Sequence, residues 1–469
     1  MRADHVEGLG ADRACGSDYT EVANIHSPRS SHPFLGVRST EAMRRGPARG
    51  RVPPPAPSPK GATALAVTKG SVQTPDQILQ VDQVFEKEDL EWAGVVRSWL
   101  DEHVRDSIGD WYLEGTIPAR ELAKGLGELG VLGMHLEGYG CAGSTATQYG
   151  LACRELEAVD SGLRSLVSVQ GSLAMWSIHH WGSEEQKEEW LPRMAAGEAI
   201  GCFGLTEPDV GSDPAGMKTR ATRDGSDWVL NGAKMWITNS PVSDVMVVWA
   251  KTDEVNEKTG EKGLVRGFVV PTDTPGVQTP EVQRKLSLRA SITGEIVLDG
   301  VRLPESAMLP KASGLKGPLS ALSEARYGII FGVTGAARDS LEQALLYTDS
   351  RIQFDRPLSS FQISQQKLAK ALGQYSAITL TAAHLGRLKD SPAGVRPEQI
   401  SLGKMVNVDT AMNIARDLRA LFGGSGITSE YSPLRHAINL ETVLTYEGTH
   451  EVHQLTLGRA LTGINAFAN

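Results

Sequence analysis

Cysteine is scarce in this sequence. Cys15, Cys141, Cys153 and Cys202 are the four in 469 residues, and no two stand in a CxxC spacing. That argues against a disulfide framework or a thiolate metal site and reads as reduced thiols in a reducing compartment. Basic charge is also short. Lys and Arg number 47 against 56 Asp and Glu, a net charge of −9. This argues against nucleic acid as the main partner, because phosphate neutralisation needs clustered cations. Long hydrophobic runs are missing too. The stretch around Gly328–Gly332 is too short and too glycine-broken to span a bilayer, so no membrane partner is expected. His179, His180, His384, His436, His450 and His453 show no metal-ligand spacing, and no metal is expected.

What remains is an ordinary globular composition, 40% hydrophobic and 22% charged, long enough for two or three packed domains. The first stretch stands apart. Residues 1–60 carry eight Arg and one Lys against six acidic residues, include Pro53-Pro54-Pro55, and show no sustained apolar period. Residues 1–75 are therefore read as a disordered, basic, proline-rich extension. Its acidic residues argue against a transit peptide.

Beyond it the apolar period changes twice. Over 76–198 it is helical, as in Leu90, Val95, Val96, Leu100 and Val104. Over 199–311 it becomes that of short strands. Val245–Ala250 reads as a buried strand, with Asp224-Gly225 and Asp299-Gly300 as turns between strands. Over 312–469 helical spacing returns, with Leu368, Leu372, Tyr375, Ala382 and Leu385 on one face and a stop at Gly423-Gly424. The expected fold is α+β and multidomain: an N-terminal helical domain, a central β-barrel domain and a C-terminal four-helix bundle. Gly125-Leu126-Gly127-Glu128-Leu129-Gly130 matches GxGxxG, but a helical run precedes it instead of a strand, so it is set aside as a dinucleotide site.

Five segments carry chemistry. They are Phe203-Gly204-Leu205-Thr206-Glu207-Pro208 with Gly211-Ser212-Asp213; Trp236-Ile237-Thr238-Asn239; Arg351-Ile352-Gln353-Phe354 with Gln362; Leu421-Phe422-Gly423-Gly424; and Thr445-Tyr446-Glu447-Gly448-Thr449. In this order and spacing, from about residue 80 to the C-terminus, the chain resembles the acyl-CoA dehydrogenase family.

That resemblance implies FAD as cofactor. It implies flavin contacts from Phe203, Leu205, Thr206, Gly211, Ser212, Trp236, Ile237 and Thr238, and from Leu421, Gly423, Gly424, Thr449 and Glu451. Arg351, Gln353, Phe354 and Gln362 are implied to reach the FAD of a neighbouring subunit in a homotetramer. The chemistry suits these residue types. Hydroxyls and backbone N–H groups serve the flavin where charge develops, and Arg suits pyrophosphate. Taken singly, Trp236 reads rather as a barrel-core residue, Arg351 reads rather as a solvated helix-end charge, and Gly423-Gly424 reads also as a helix stop alone.

Glu447 is implied as the base that removes the α-proton of an acyl thioester, with Gly448 allowing close backbone approach. Burial should raise its pKa, and a helix beginning near Thr449 should lower it; the sequence leaves the two unweighed. Glu324, just before Arg326, is a rival base, one residue out of step with family members that place the base there. Ser212 and Arg326 join the implied substrate contacts.

The stretch Arg164-Ser165-Leu166-Val167-Ser168, with Glu157 and Tyr446, resembles the glutaryl-CoA branch of the family. There the Arg is implied to pair with the distal carboxylate of a five-carbon diacid thioester, which the enzyme oxidises and decarboxylates to crotonyl-CoA. The alternative for Arg164 is a structural ion pair with Asp160 one turn back. Leu163, Ser323 and Glu324 depart from the branch's pattern and leave the acid's identity open. The implied electron acceptor is an electron-transferring flavoprotein. An oxidase, a dehydrogenase of another short acyl-CoA, a non-decarboxylating glutaryl-CoA enzyme and an inactive scaffold are the alternatives. The expected compartment is the cytoplasm for a bacterial chain, the reading favoured here, or the mitochondrial matrix for a eukaryotic one.

Overall fold

The computed structural model describes residues 72–255, 260 and 262–467. Residues 1–71 of the proposed extension lie outside them. Among the described residues no helix is long and apolar enough to cross a membrane.

The first half is helical, as the spacing predicts. Thr74 opens the helix Pro75–Leu79 by accepting from the Gln77 N–H while the Gln77 side chain returns to the Thr74 N–H. Lys87–His103, Ala119–Glu128, Ala146–Val159, Ser161–Ser168 and Glu184–Ala195 follow. The GxGxxG glycines sit in and just past Ala119–Glu128, a helix, which removes the strand a dinucleotide site needs. Beyond that helix a small hairpin pairs Glu137–Gly138 with Cys141–Ala142.

Ala146–Val159 is the central helix of the first half, buried nearly throughout. It packs along the 35-residue helix Lys316–Ser350 of the second half. Glycines set the approach. A Cβ at Gly335 would lie 1.8 Å from the Arg154 carbonyl oxygen, and one at Gly150 would strike the Phe331 ring at 2.6 Å. The two helices also share a buried ion cluster: Glu155 accepts from both terminal nitrogens of Arg338, at 2.8 and 2.6 Å, and from Arg97 at 2.8 Å. Helices Gln362–Asp390, Pro397–Arg419, Ser432–Thr445 and His450–Thr462 complete the C-terminal bundle.

Between these halves lies a curled seven-stranded sheet. Gly201–Gly204 and Arg220–Asp224 each run parallel to Val245–Thr252, which pairs antiparallel with Val265–Pro271. Asp227–Thr238 joins Arg220–Asp224 to Thr293–Pro304, both antiparallel. Val245–Ala250 is buried on both faces. Its side chains divide between two cores, which is why the segment reads as a continuous apolar run: Met246 and Val248 face Trp228 and Phe268, while Val245, Val247 and Trp249 face the helices. Asp224-Gly225 is the expected hairpin turn. Asp299-Gly300 is not a turn between strands: it lies inside Thr293–Pro304, where the ladder shifts register opposite Leu230 and Gly232 and Gly300 takes a φ of 60°. Gln170 ties the sheet to the helices, its amide nitrogen donating to the Met194 and Ala199 carbonyls and its oxygen accepting from the Gly201 N–H.

Candidate active site

Residues 446–449 link helices Ser432–Thr445 and His450–Thr462. The turn is tight and left-handed, with φ of 55° at Glu447 and 97° at Gly448. Glycine takes that value freely, whereas Glu447 is held there against its preference, a strain that tends to sit at functional positions. Thr449 then caps the last helix, accepting from the Val452 N–H at 3.3 Å. Glu447 Oε2 is shut away from solvent and has no hydrogen-bond partner. Burial raises the Glu447 pKa, and the cations Arg164, Lys404 and Arg326 pull the other way without cancelling it. The contest left open by the sequence is thus won by burial, and the opposing force comes from side-chain cations.

The charges implied to meet the acyl tail reach this loop at Tyr446. Arg164 and Glu157 are both fully buried, and Arg164 Nε donates to Glu157 Oε2 at 2.8 Å. Ser161 donates to the other oxygen of Glu157 at 2.8 Å. Arg164 Nη2 donates to the Tyr446 hydroxyl, which stands 3.4 Å from Ser165 Oγ. Two groups are left over: Arg164 Nη1 and the Ser168 hydroxyl, one helical turn further on, are buried without a partner. Asp160 is not the partner of Arg164. It caps the helix through the Gly162 N–H and takes Arg435 and Asn439, both at 3.0 Å. Unpaired buried donors are costly unless an acceptor supplies the missing bond.

Gly332 is a condition of this arrangement. A Cβ there would lie 2.1 Å from Glu157 Oε2 and 3.4 Å from Arg164 Cγ. Gly332→Ala is expected to cost about 1–3 kcal/mol in a denaturant melt, the usual range for overpacking a tight core. Unchanged stability would show that Glu157 has room to move.

The rival base is committed elsewhere. Glu324 pairs with Lys389 at 2.8 Å. Arg326, two residues on, instead reaches the loop, its Nε donating to the Glu447 carbonyl at 2.6 Å. Cys153 and Lys404 also stand near Glu447, and the motifs drew attention to neither. Cys153 is a buried thiol pushed up to about 12 by burial, and the ammonium of Lys404 is brought down to about 7, again by burial first.

The flavin segments fall into two groups. Phe203–Thr206 and Trp236–Thr238 are adjacent, joined by the Met235 N–H to the Thr206 carbonyl at 2.9 Å and by Lys234 Nζ to the Leu205 carbonyl at 3.1 Å. Glu207 fixes the corner. Its carboxylate accepts from Lys234 and from the N–H groups of Lys218 and Thr219. Burial alone would raise its pKa, but these donors bring it down to about 2. Phe203, Leu205 and Ile237 are buried, Thr206 and Thr238 half-buried, and Gly211 and Ser212 exposed.

Trp236 is not a core residue. It has a φ of 64° and is 59% exposed, an indole presented at the sheet surface. The second group lies on the helical bundle. Arg351, Gln353, Phe354 and Gln362 are exposed on and beside a small hairpin, and Gly423-Gly424 stands close to its start through Tyr347. Tyr347 donates to the Phe422 carbonyl and accepts from the Arg351 N–H. Leu421 is half-buried there, and Glu451 is exposed at the start of the last helix. Among the described residues no group of three or more His, Cys, Asp or Glu is placed to hold a metal.

Three family models match in succession: the acyl-CoA dehydrogenase N-terminal domain over residues 86–198, the middle domain over 202–301 and the C-terminal domain over 312–462. The chain belongs to the acyl-CoA dehydrogenase family. It is similar to the short-chain specific acyl-CoA dehydrogenase of Homo sapiens mitochondria, 32% identical over 73% of this chain and 82% of that one. It is also similar to a glutaryl-CoA dehydrogenase from Mycobacterium smegmatis, solved in complex with FADH2, at 60% identity and a TM-score of 0.81, covering 85% of this chain and all of that one. Butyryl-CoA dehydrogenase from Megasphaera elsdenii matches at 29% identity and a TM-score of 0.75, over 80% of this chain and 98% of that one.

As an acyl-CoA dehydrogenase the chain is an oxidoreductase with FAD as its cofactor, and the residues present fit that group. An outward-facing indole and the half-buried hydroxyls of Thr206 and Thr238 line one short edge of the sheet.

Proposed function

We propose that this acyl-CoA dehydrogenase oxidises and decarboxylates glutaryl-CoA, with Glu447 as base and Arg164 as the anchor of the distal carboxylate. The observation that carries the reading is the pair of buried, unpartnered donors, Arg164 Nη1 and Ser168 Oγ. An apolar acyl tail would leave both unpaired, at a cost of about 1–3 kcal/mol each. A carboxylate accepts from both and gains a charge-assisted contact. Glu157 and Tyr446 hold the remaining guanidinium nitrogens, so the Arg presents one face only.

Glu447 takes the α-proton, and its backbone N–H donates to the thioester oxygen on which negative charge grows. FAD, when bound, would supply the acceptor for the β-hydrogen and its electron pair. Losing carbon dioxide from the resulting glutaconyl thioester leaves a dienolate; Glu447, now protonated, returns its proton and crotonyl-CoA results. Arg164 holds the departing carboxylate until that step. Thr206, Ser212, Thr238 and Trp236 serve the flavin from the sheet, with Thr449 and Glu451 at the last helix. Ser212, Arg326 and Gly448 complete the substrate's surroundings. The separate group of Arg351, Gln353, Phe354 and Gln362 is assigned to the FAD of a neighbouring subunit in a homotetramer, which accounts for its exposure in a single chain. Electrons then pass to an electron-transferring flavoprotein.

The test offers glutaryl-CoA and butyryl-CoA in parallel with an artificial acceptor and traps released carbon dioxide. A preference for glutaryl-CoA of at least about 10-fold in kcat/KM is expected, the scale of one hydrogen bond to a charged group, with one carbon dioxide per turnover. A preference for butyryl-CoA sinks the substrate assignment.

A further inference from the structure

Three consecutive carbonyls of the catalytic loop are held by two buried cations. Lys404 Nζ donates to the Tyr446 carbonyl and to the Gly448 carbonyl, each at 2.7 Å. Arg326 takes the carbonyl between them, that of Glu447. Lys404 projects from the middle of helix Pro397–Arg419 and is 1% exposed. A buried ammonium is costly, and two neutral carbonyls repay it poorly. Its two hydrogen bonds both go to the loop backbone, and the Glu447 carboxylate acts on it only through space. The backbone makes that position specific. In a trans peptide the C=O and the following N–H point in opposite directions, and the described residues have no cis bond. Holding the Tyr446 carbonyl against Lys404 therefore turns the Glu447 N–H away from Lys404.

We propose that Lys404 is a positioning residue for the reaction: by clamping the carbonyls on either side of Glu447, it fixes the left-handed turn that aims the Glu447 N–H and carboxylate together at the acyl thioester. The clamp straddles the base and leaves the base itself free, which matches the unpartnered Glu447 Oε2. It also explains how a non-glycine residue is kept at a φ of 55°. His453 completes the surroundings from the last helix. Its Nδ1 lies 3.1 Å from Ser401 Oγ, and its Nε2 lies 3.1 Å from where a Cβ on Gly448 would stand. The inference rests on Glu447 being the base.

The experiment compares Lys404→Met and Lys404→Arg with the parent holoenzyme, each normalised to bound flavin. Lys404→Met keeps the length of the side chain and removes its donors. It is expected to lower kcat by about 10²- to 10³-fold, the loss typical when a preorganised donor to a growing oxyanion is disordered, with KM changed less than about 3-fold. The decisive readout is the long-wavelength absorption formed when a 3-thia-acyl-CoA is deprotonated beside oxidised flavin. This band needs the base and the loop N–H in register and is expected to be lost in Lys404→Met.

Lys404→Arg, which can donate to both carbonyls, should recover the band and at least about a tenth of kcat. A normal band in Lys404→Met overturns the proposal, as does a loss of kcat that Lys404→Arg fails to recover in any part. If Lys404→Met does not retain flavin, Lys404→Gln, whose amide nitrogen sits one bond short of the ammonium position and so falls short of the loop carbonyls, is read by the same band, and a band of full strength there overturns the proposal equally. Glu447→Gln run alongside separates the two assumptions. An active Glu447→Gln enzyme removes the base assignment, whatever Lys404 does.

Discussion

Glu447→Gln is expected to retain FAD and lose turnover by about 10⁴-fold, the upper range for removing a general base. The substitution keeps shape and hydrogen-bonding capacity and removes only the ability to take a proton. Its effect should be confined to kcat, because the loop that carries it is held through backbone carbonyls by Lys404 and Arg326 and not through the Glu447 side chain. The pH dependence follows from the direction of the pKa shift. The carboxylate is the active form, and burial makes it harder to ionise than an ordinary Glu. In the parent enzyme kcat/KM should fall as pH drops, along a limb lying above the ordinary Glu value of 4.5. That limb should be absent from whatever activity Glu447→Gln retains. Rapid-quench turnover within 10-fold of the parent, on the scale where a base is worth about 10²–10⁴, would move the base to another residue.

The second large effect is expected at Arg164. Arg164→Ala removes the anchor and also strands Glu157, which is fully buried and has Ser161 as its other side-chain partner. Two losses are therefore mixed. The stability loss is that of an uncompensated buried carboxylate, about 3–5 kcal/mol. The substrate loss is that of one side of a buried charge pair, about 3 kcal/mol, or roughly 10²-fold in kcat/KM for glutaryl-CoA. Arg164→Met combined with Glu157→Gln separates them, since it leaves no buried charge behind. In that double variant stability should recover most of the loss while the preference moves from glutaryl-CoA toward butyryl-CoA. Parallel kinetics with the two thioesters decide the matter, and an unchanged ratio would assign Arg164 to the fold alone.

Local patterns carried the layout because they are local in origin. Helical spacing and the Asp224-Gly225 turn depend on neighbours a few residues away. Asp299-Gly300 misled because a bulge inside a long strand uses the same left-handed glycine as a hairpin turn; only the partner strand distinguishes the two. Trp236 taken alone read rather as core, since side-chain type does not say which way a strand edge faces, and it stands 59% exposed. Arg164 showed the limit most clearly. Helical spacing offered Asp160 as its partner, but Asp160 was taken by Arg435 and Asn439 from a helix some 275 residues on.

The order of the five segments, with the Tyr446-Glu447-Gly448 turn and the Arg164 stretch, determined the family and singled out the candidate reacting residues before any packing was known. Tertiary structure alone decided the electrostatics around them. It chose Glu157 as the partner of Arg164, left Nη1 and Ser168 Oγ unpaired, tied Glu324 to Lys389, and set Lys404 against the carbonyls on either side of Glu447. Those outcomes depend on which charges are buried together, and burial is a property of the packed chain that no short segment carries.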